Sequence, residues 1–349
     1  MDQPHFVLKR KWSLSCVFFC LLTLLCVASA SQAKSYNITF QMAWHTQHPE
    51  YKAYQKFIDM VEKETDGQIT FTLFPASQLV SRSESLSALK MGTINMLGSC
   101  GAYYHGMVPE GDVDWLPYVS SKDRAAFWHL INDDTEFGNI VREAYAQKAN
   151  AKLLTTIICG REVIIGRGND EYKTLGDLKN KKVRGAGGVG TRIVKALGAS
   201  PVTIATGEIY PAVQRGTVDA LIFPDYGLKD YKLYEVAKTF TEPPVYNWND
   251  DLWINQDFFQ RLPKDIQDTL ARVAYEWGKW ASLEYWPAYM DETNKWVSEQ
   301  GVKVVQMPNE EVLKMQEALK PVYKWYAEES AECGRLVSIL KEKGILNLQ

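Results

Sequence analysis

Apolar and polar positions alternate in short runs along this chain, and most of those runs lead into a stretch of helical spacing. Ile38–Met42 alternates as a half-buried strand does. From Glu50 to Glu64 the apolar residues Tyr54, Phe57, Ile58 and Val61 fall on one helical face, and Asp66-Gly67 ends the helix. Gln68–Phe74 alternates again, Glu84–Met91 has helical spacing closed by Gly92, and Ile94–Leu97 is a third strand. Strands and helices in this order predict a βαβαβ unit with a parallel sheet. Residues 109–150 are mostly helical, with Lys122–Ile131 and Phe137–Ala149 as the two helices. Their aromatics Trp115, Phe127 and Trp128 are expected in the core. Lys152–Cys159 and Val163–Arg167 then read as two strands on either side of Gly160, where a crossing between domains is placed.

A second βαβαβ run follows. Lys182–Arg184 is a short strand, Gly185, Gly187, Gly188 and Gly190 form a turn, and Thr191–Leu197 is a helix. Pro201–Ala205, Glu208–Arg215 and Val218–Phe223 complete it as strand, helix and strand. Ligands of such sheets sit at the C-terminal ends of the strands. Arg184 stands at one of those ends and presents a planar, permanently charged fork suited to a carboxylate or another oxyanion. Tyr234–Thr239 and Thr241–Pro244 lead back to a returning strand at Leu252–Asn255. Lys264–Gln300 is a long helical region carrying Trp277, Trp280, Tyr285, Trp286 and Trp296, a face expected to be core; Pro287 should kink it. Val302–Gln306 is a strand, and Glu310–Lys341 supplies terminal helices with a break at Pro321. The expected fold is α/β in two domains, with a long helical region. The expected organisation is 1–33 signal peptide, 34–158 first part of domain I, 159–243 domain II, and 244–349 the return to domain I.

Composition narrows the function classes. The chain has 349 residues, 46% apolar and 23% charged, which suits a globular protein of two domains. Lys9, Arg10 and Lys11 precede the apolar run Leu14–Val27, and Ala28-Ser29-Ala30 and Ser31-Gln32-Ala33 both satisfy the small-x-small rule, so export with cleavage after Ala30 or Ala33 is expected. An uncleaved anchor is the alternative. Loss of residues 1–33 takes the formal charge from −3 to −5 and leaves no basic run, a poor balance for nucleic acid. Cys100, Cys159 and Cys333 would remain, too few for a disulfide framework, though one pair is open. No CxxC, HExxH or histidine cluster calls for a metal or cofactor.

Three segments carry a family resemblance. Asp177-Leu178-Lys179-Asn180-Lys181-Lys182-Val183-Arg184 is followed by Gly198-Ala199-Ser200-Pro201-Val202. Then comes Glu208-Ile209-Tyr210-Pro211-Ala212-Val213-Gln214-Arg215-Gly216-Thr217-Val218-Asp219-Ala220. In that order and spacing they resemble the solute-binding proteins of tripartite ATP-independent periplasmic (TRAP) transporters, of the C4-dicarboxylate-binding type. Pro75-Ala76-Ser77-Gln78-Leu79 is similar to the turn in that family's opening half. The resemblance implies that Arg184 makes the main salt bridge to a ligand acid group. Arg161, six residues before Arg167, would be a second ligand arginine. It also implies a two-domain periplasmic-binding-protein (Venus-flytrap) fold with a long domain-bracing helix, and transport energised by an ion gradient, with a small and a large integral-membrane subunit as partners. A monomer is the default, with dimers and a bridging calcium or sodium ion left open.

The chain departs from the family pattern where a QENP segment often stands. Leu221-Ile222-Phe223-Pro224 puts an apolar ring at the position of the ligand-binding amide, and Thr206 stands where a ring is often found. The pocket is therefore expected to be rebuilt around the arginine, with Asp225 and Tyr226 as polar candidates. Trp44, Tyr103, Trp248 and Gln78 complete the candidate ligand-binding set. The expected function is capture of a small organic anion by arginine salt bridge and domain closure; dicarboxylate, keto acid, sulfonate and aromatic acid all remain open. An exported enzyme and a chemosensory binding protein are the rivals. No nucleophile with a paired base is seen, and no histidine follows His129 in the chain.

Overall fold

The structure is a computed structural model that describes residues 35–120 and 123–346. The expected signal peptide, with both cleavage positions, lies outside the described residues, as does Lys122. Among the described residues no helix is long and apolar enough to cross a membrane.

The first half opens with β1 (Tyr36–Met42), α1 (Pro49–Glu64), β2 (Ile69–Phe74), α2 (Ser85–Lys90) and β3 (Met96–Ser99). β1 pairs in parallel with both β2 and β3, so the alternation seen in the sequence builds the expected βαβαβ unit. His48 caps α1, its Nδ1 accepting from the Glu50 N–H at 3.1 Å. Two helices follow, α3 (Arg124–Asn132) and α4 (Glu136–Ala149). The second unit comprises β5 (Lys182–Arg184), α5 (Gly187–Ala196), β6 (Ser200–Val202), α6 (Ile209–Gln214) and β7 (Ala220–Pro224), with β5 parallel to β6 and β7. α5 begins within the glycine cluster, earlier than the expected Thr191. Gly187 takes φ +62°, which turns the chain into the helix, and a Cβ there would lie 3.3 Å from the Ala102 carbonyl oxygen.

Two long strands join the halves. β4 (Ala151–Gly166) and β8 (Thr239–Asn255) run antiparallel through the middle of one sheet of order β2-β1-β3-β8-β4-β7-β5-β6, with β9 (Lys303–Gln306) beside β8. The sequence reading split β4 into two strands at Gly160 and resolved β8 only as separate segments. The irregularity at Gly160 is a register shift rather than a break. The ladder slips between Ile158 and Arg161 and again between Glu162 and Ile164.

After the second unit come the short helices α7 (Gly227–Asp230) and α8 (Gln256–Gln260), and the aromatic helix is α9 (Lys264–Trp280) continued by α10 (Trp286–Glu299) through one π turn, Ala281–Tyr285, that ends two residues before Pro287. A π turn is a recognised way for a helix to absorb an interruption. It also brings the Ser282 hydroxyl to accept from the Ile158 N–H at 3.0 Å, fastening the helix to β4. Trp277 and Trp286 are fully buried, and their indole N–H groups donate to the Ala53 carbonyl (2.7 Å) and to Glu50 Oε2 (2.8 Å) on α1. The terminal helices are α11 (Asn309–Glu329) and α12 (Ala331–Glu342). α11 runs through Pro321, and the break falls instead at Ser330, whose hydroxyl caps α12. Cys100, Cys159 and Cys333 are buried free thiols.

Candidate functional site

β5 is short, but both its edges are paired, with Arg184 opposite Val202 on β6 and Leu221 on β7. Arg184 is thus held at the C-terminal end of parallel strands. It is 4% exposed, its guanidinium carbon lies 5.2 Å from the centre of the Phe223 ring, and its Nε has no hydrogen-bond partner among the described residues. It is in no ion pair among them either. It is one of the side chains that line a narrow pocket.

Three parts of the chain close around that space. Trp44, Tyr103 and Trp115 come from the loops after β1 and β3. Glu162, Thr206, Phe223, Tyr226 and Tyr231 come from β4 and the second unit, and Trp248 comes from β8. The aromatic wall is pinned by buried polar bonds. Trp44 stacks on His48 at 4.5 Å, meets Trp248 edge-on at 5.0 Å, and donates its indole N–H to Asp250 Oδ2 at 3.1 Å. The Tyr54 hydroxyl donates to the same oxygen at 2.7 Å. Burial pushes the Asp250 carboxyl up to about 6 against these bonds. Burial, with His45 and Arg82 nearby, holds the His48 pKa well below its usual value, so the ring is neutral. Because Nδ1 accepts from Glu50, the proton sits on Nε2 and is donated to the Tyr226 hydroxyl at 3.2 Å. Arg82 lies over both the Trp44 and Tyr103 rings, at 4.6 and 4.9 Å.

Phe223 is 4% exposed and belongs to a second apolar cluster with Val163, Ile165, Ile209 and Leu228. Gly227 makes room for it, since a Cβ there would sit 2.3 Å from the ring. The apolar ring that replaces an amide in the resemblance is therefore both pocket wall and core.

The structure brings Arg184, Trp44, Tyr103, Phe223 and Trp248 together in one pocket. It does not bring Arg161, Asp225 or Gln78 there. Gln78 is exposed. Arg161 is bound to Asp225 Oδ2 through Nε (2.9 Å) and an Nη (2.6 Å), and to Glu242 through its other Nη (2.8 Å). Asn294 on α10 donates to the same Asp225 oxygen at 3.3 Å. The physical reason is strand alternation. Residues 161 and 162 point to opposite faces of β4, and here Glu162 takes the pocket face.

Glu162 was not singled out in the sequence, nor was Tyr231, and Trp115 was read as core. Trp115 is 1% exposed, but it lines the pocket and its indole N–H has no partner among the described residues. Glu162 is 1% exposed and its Oε2 is likewise unpartnered. Burial raises its carboxyl to about 8, opposed by Arg184 and assisted by Asp225. The period-two alternation around a recognised Arg161 was the one signal that pointed to Glu162. Among the described residues no group of acidic, histidine and cysteine side chains could hold a metal ion.

The model of bacterial extracellular solute-binding protein family 7 (DctP) matches residues 40–330. A solute-binding protein of Albidiferax ferrireducens is 28% identical over 295 residues, covering 82% of this chain and 84% of that protein. The sialic acid-binding periplasmic protein SiaP of Vibrio cholerae is 27% identical over 311 residues, covering 87% and 92%. Among solved structures, a TRAP periplasmic solute-binding protein from Desulfovibrio salexigens with bound orotic acid superposes with a TM-score of 0.80 at 22% identity, covering 89% of this chain and all of that one. One from Roseobacter denitrificans with bound β-D-glucuronate gives 0.78 at 22%, covering 87% and 99%. With a paired-strand sheet of the expected topology, a long aromatic helix and a family match over most of its length, this chain belongs to the DctP family, the TRAP solute-binding proteins of family 7.

Proposed function

We propose that this protein is the extracytoplasmic receptor of a TRAP transporter and captures a small organic acid on Arg184. One observation carries the reading: a permanently charged fork, 4% exposed, faces a pocket and has no carboxylate of the protein paired to it among the described residues. Arg161 and Arg124 show the contrast. The first is neutralised by two carboxylates, and the second donates to the Ile158 and Cys159 carbonyls at 2.7 and 2.9 Å. A buried charge without a counterion is costly, and a ligand carboxylate removes that cost. The unpartnered Trp115 N–H is a second donor into the same space. The relatives named for sialic acid, glucuronate and orotate bind carboxylates, which supports the acid class.

In this reading residues 34–158 and 244–349 form one domain, 159–243 form the other, and β4 and β8 are the hinge. Closure excludes water and strengthens the ion pair. The chain works as a periplasmic monomer, cleaved after Ala30 or Ala33, without a cofactor and without enzymatic turnover. It delivers the closed form to small and large membrane subunits. Calorimetry of the purified protein against organic acids and their neutral amides tests this. Binding confined to acids, lost in Arg184→Ala, with the solute recovered unchanged by mass spectrometry, is the expected result. Binding of amides as tight as of acids sinks it.

A further inference from the structure

The pocket holds a second buried charge carrier that acid capture does not use. Glu162 and Arg184 are the acid and the base among the residues that line it, each is nearly inaccessible, and each has an unpartnered polar atom. They influence each other electrostatically but form no ion pair, although a direct bond would satisfy both. A buried guanidinium and a buried carboxyl that line one cavity without bonding are complementary to a ligand that brings an acid group to the first and a cationic group to the second. Most of the remaining lining is aromatic, with Trp44, Phe223, Tyr226, Tyr231 and Trp248 among the rings. The negative faces of such rings favour a cation and disfavour a second carboxylate. The lining offers few hydroxyl-binding groups for a sugar acid.

We propose that the solute is a small zwitterion, its acid group held by Arg184 and its cationic group by Glu162 against the aromatic wall. The proposal rests on the reading of Arg184 given above and names the solute class within it. It also fixes a proton balance. The groups acting on Glu162 are Arg184 on β5, Asp225 and Tyr226 after β7, and Tyr246 on β8. Among these, burial holds the carboxyl up at about 8. A cationic group beside it stabilises the ionised form, so the proton leaves Glu162 for solvent on binding near neutral pH. A solute with acid groups alone raises the carboxyl further and takes protons up.

The test uses matched pairs in which a methylene, methyl or quaternary carbon replaces the charged nitrogen: proline with cyclopentanecarboxylate, pipecolate with cyclohexanecarboxylate, glycine betaine with tert-butylacetate, and γ-aminobutyrate with valerate. Glucuronate and orotate complete the panel. The protein is freed of carried-over solute by unfolding and refolding, then screened by thermal shift and calorimetry in phosphate and in Tris. At least one zwitterion should bind roughly tenfold or more tighter than its isosteric acid, with proton release, and that preference should vanish in Glu162→Gln. A panel in which no zwitterion outperforms its isostere overturns the proposal. So does proton uptake, or a Glu162→Gln variant that keeps the full preference, as it would if a protonated Glu162 merely donated a hydrogen bond to the acid group. Tight glucuronate or orotate binding that is lost in Arg184→Ala overturns the zwitterion and leaves acid capture standing. Solute binding indifferent to Arg184→Ala overturns both.

Discussion

Arg184 ends β5 and Arg161 lies within β4, with β7 between the two strands in one sheet, and the structure predicts opposite consequences for losing them. Removing Arg184 takes out of the pocket a fork that forms no ion pair, and whose Nε has no hydrogen-bond partner, among the described residues. If that fork makes two charge-assisted hydrogen bonds to the solute, each worth about 1.5–3 kcal/mol, Arg184→Ala weakens binding by about 3–6 kcal/mol, or roughly two to four orders of magnitude in Kd. The solute-free protein should change little in stability, within about 1 kcal/mol. The packing lost against Phe223 is offset by removing a buried, unpaired charge. Arg161→Ala does the reverse. It leaves Asp225, which is fully buried, and Glu242 without their shared cation, a defect of about 3–5 kcal/mol in folding stability. Its effect on Kd in protein that remains folded should be under about tenfold, because Arg161 does not reach the pocket. Urea unfolding of both variants without solute, set beside calorimetric Kd values, gives the four numbers needed. Arg161→Ala that weakens binding as much as Arg184→Ala while unfolding like the wild type would refute the assignment of the two arginines.

Three further outcomes follow from the pocket. Glu162 has a folded pKa of about 8, above its ordinary value, so its contribution to stability is fully present below the ordinary carboxylate range of about 4.3 and is lost as pH rises through about 8. Over that window Glu162→Gln should gain stability relative to the wild type without solute; parallel midpoint-versus-pH curves for the two proteins contradict it. Trp115→Phe deletes an indole N–H that has no partner among the described residues, so folding stability should stay within about 1 kcal/mol while solute affinity falls about fivefold to tenfold, measured by denaturation and calorimetry. Phe223→Asn should lower stability by about 3 kcal/mol or more, since the ring belongs to the second core cluster, and should also change which acids bind; unchanged thermal stability would mean the ring is wall alone.

The architecture was legible because it rests on periodicity and on turn chemistry. The strand–helix order of both halves, the long aromatic helix and the position of Arg184 follow from patterns that a sequence displays directly. What was missed is non-local. β8 looked like separate segments because its Glu242-Pro243-Pro244 stretch resembles a strand end, yet its pairing with β4 and β9 carries it through. Pro321 read as a break, but α11 continues through it, and a serine hydroxyl sets the boundary instead. Trp115 carries no mark that separates a core indole from a pocket indole. Only the fold shows that its N–H lacks a partner among the described residues.

The identity of the inward-facing charge at β4 is the clearest case. The family resemblance makes Arg161 the attractive candidate, as a second ligand arginine six residues before Arg167. Alternation allows only one of residues 161 and 162 to face the pocket, and two register shifts on either side of the pair set which one. Once Arg161 faces away, two carboxylates hold it there. Asp225 lies directly after β7, Glu242 lies within β8, and Asn294 on α10 donates to Asp225 in turn, so elements distant in sequence agree on that side of the strand. A single buried pair of this kind is weak evidence for stability, but here it fixes orientation. With the positive charge spent on the far face, Glu162 is carried into the pocket opposite Arg184 by the same pleat. The charge pattern that selects the solute is therefore set by strand register as much as by which residues are present. A one-residue slip in β4 would place two arginines in the pocket and turn a site with one acid and one base into a site for dianions.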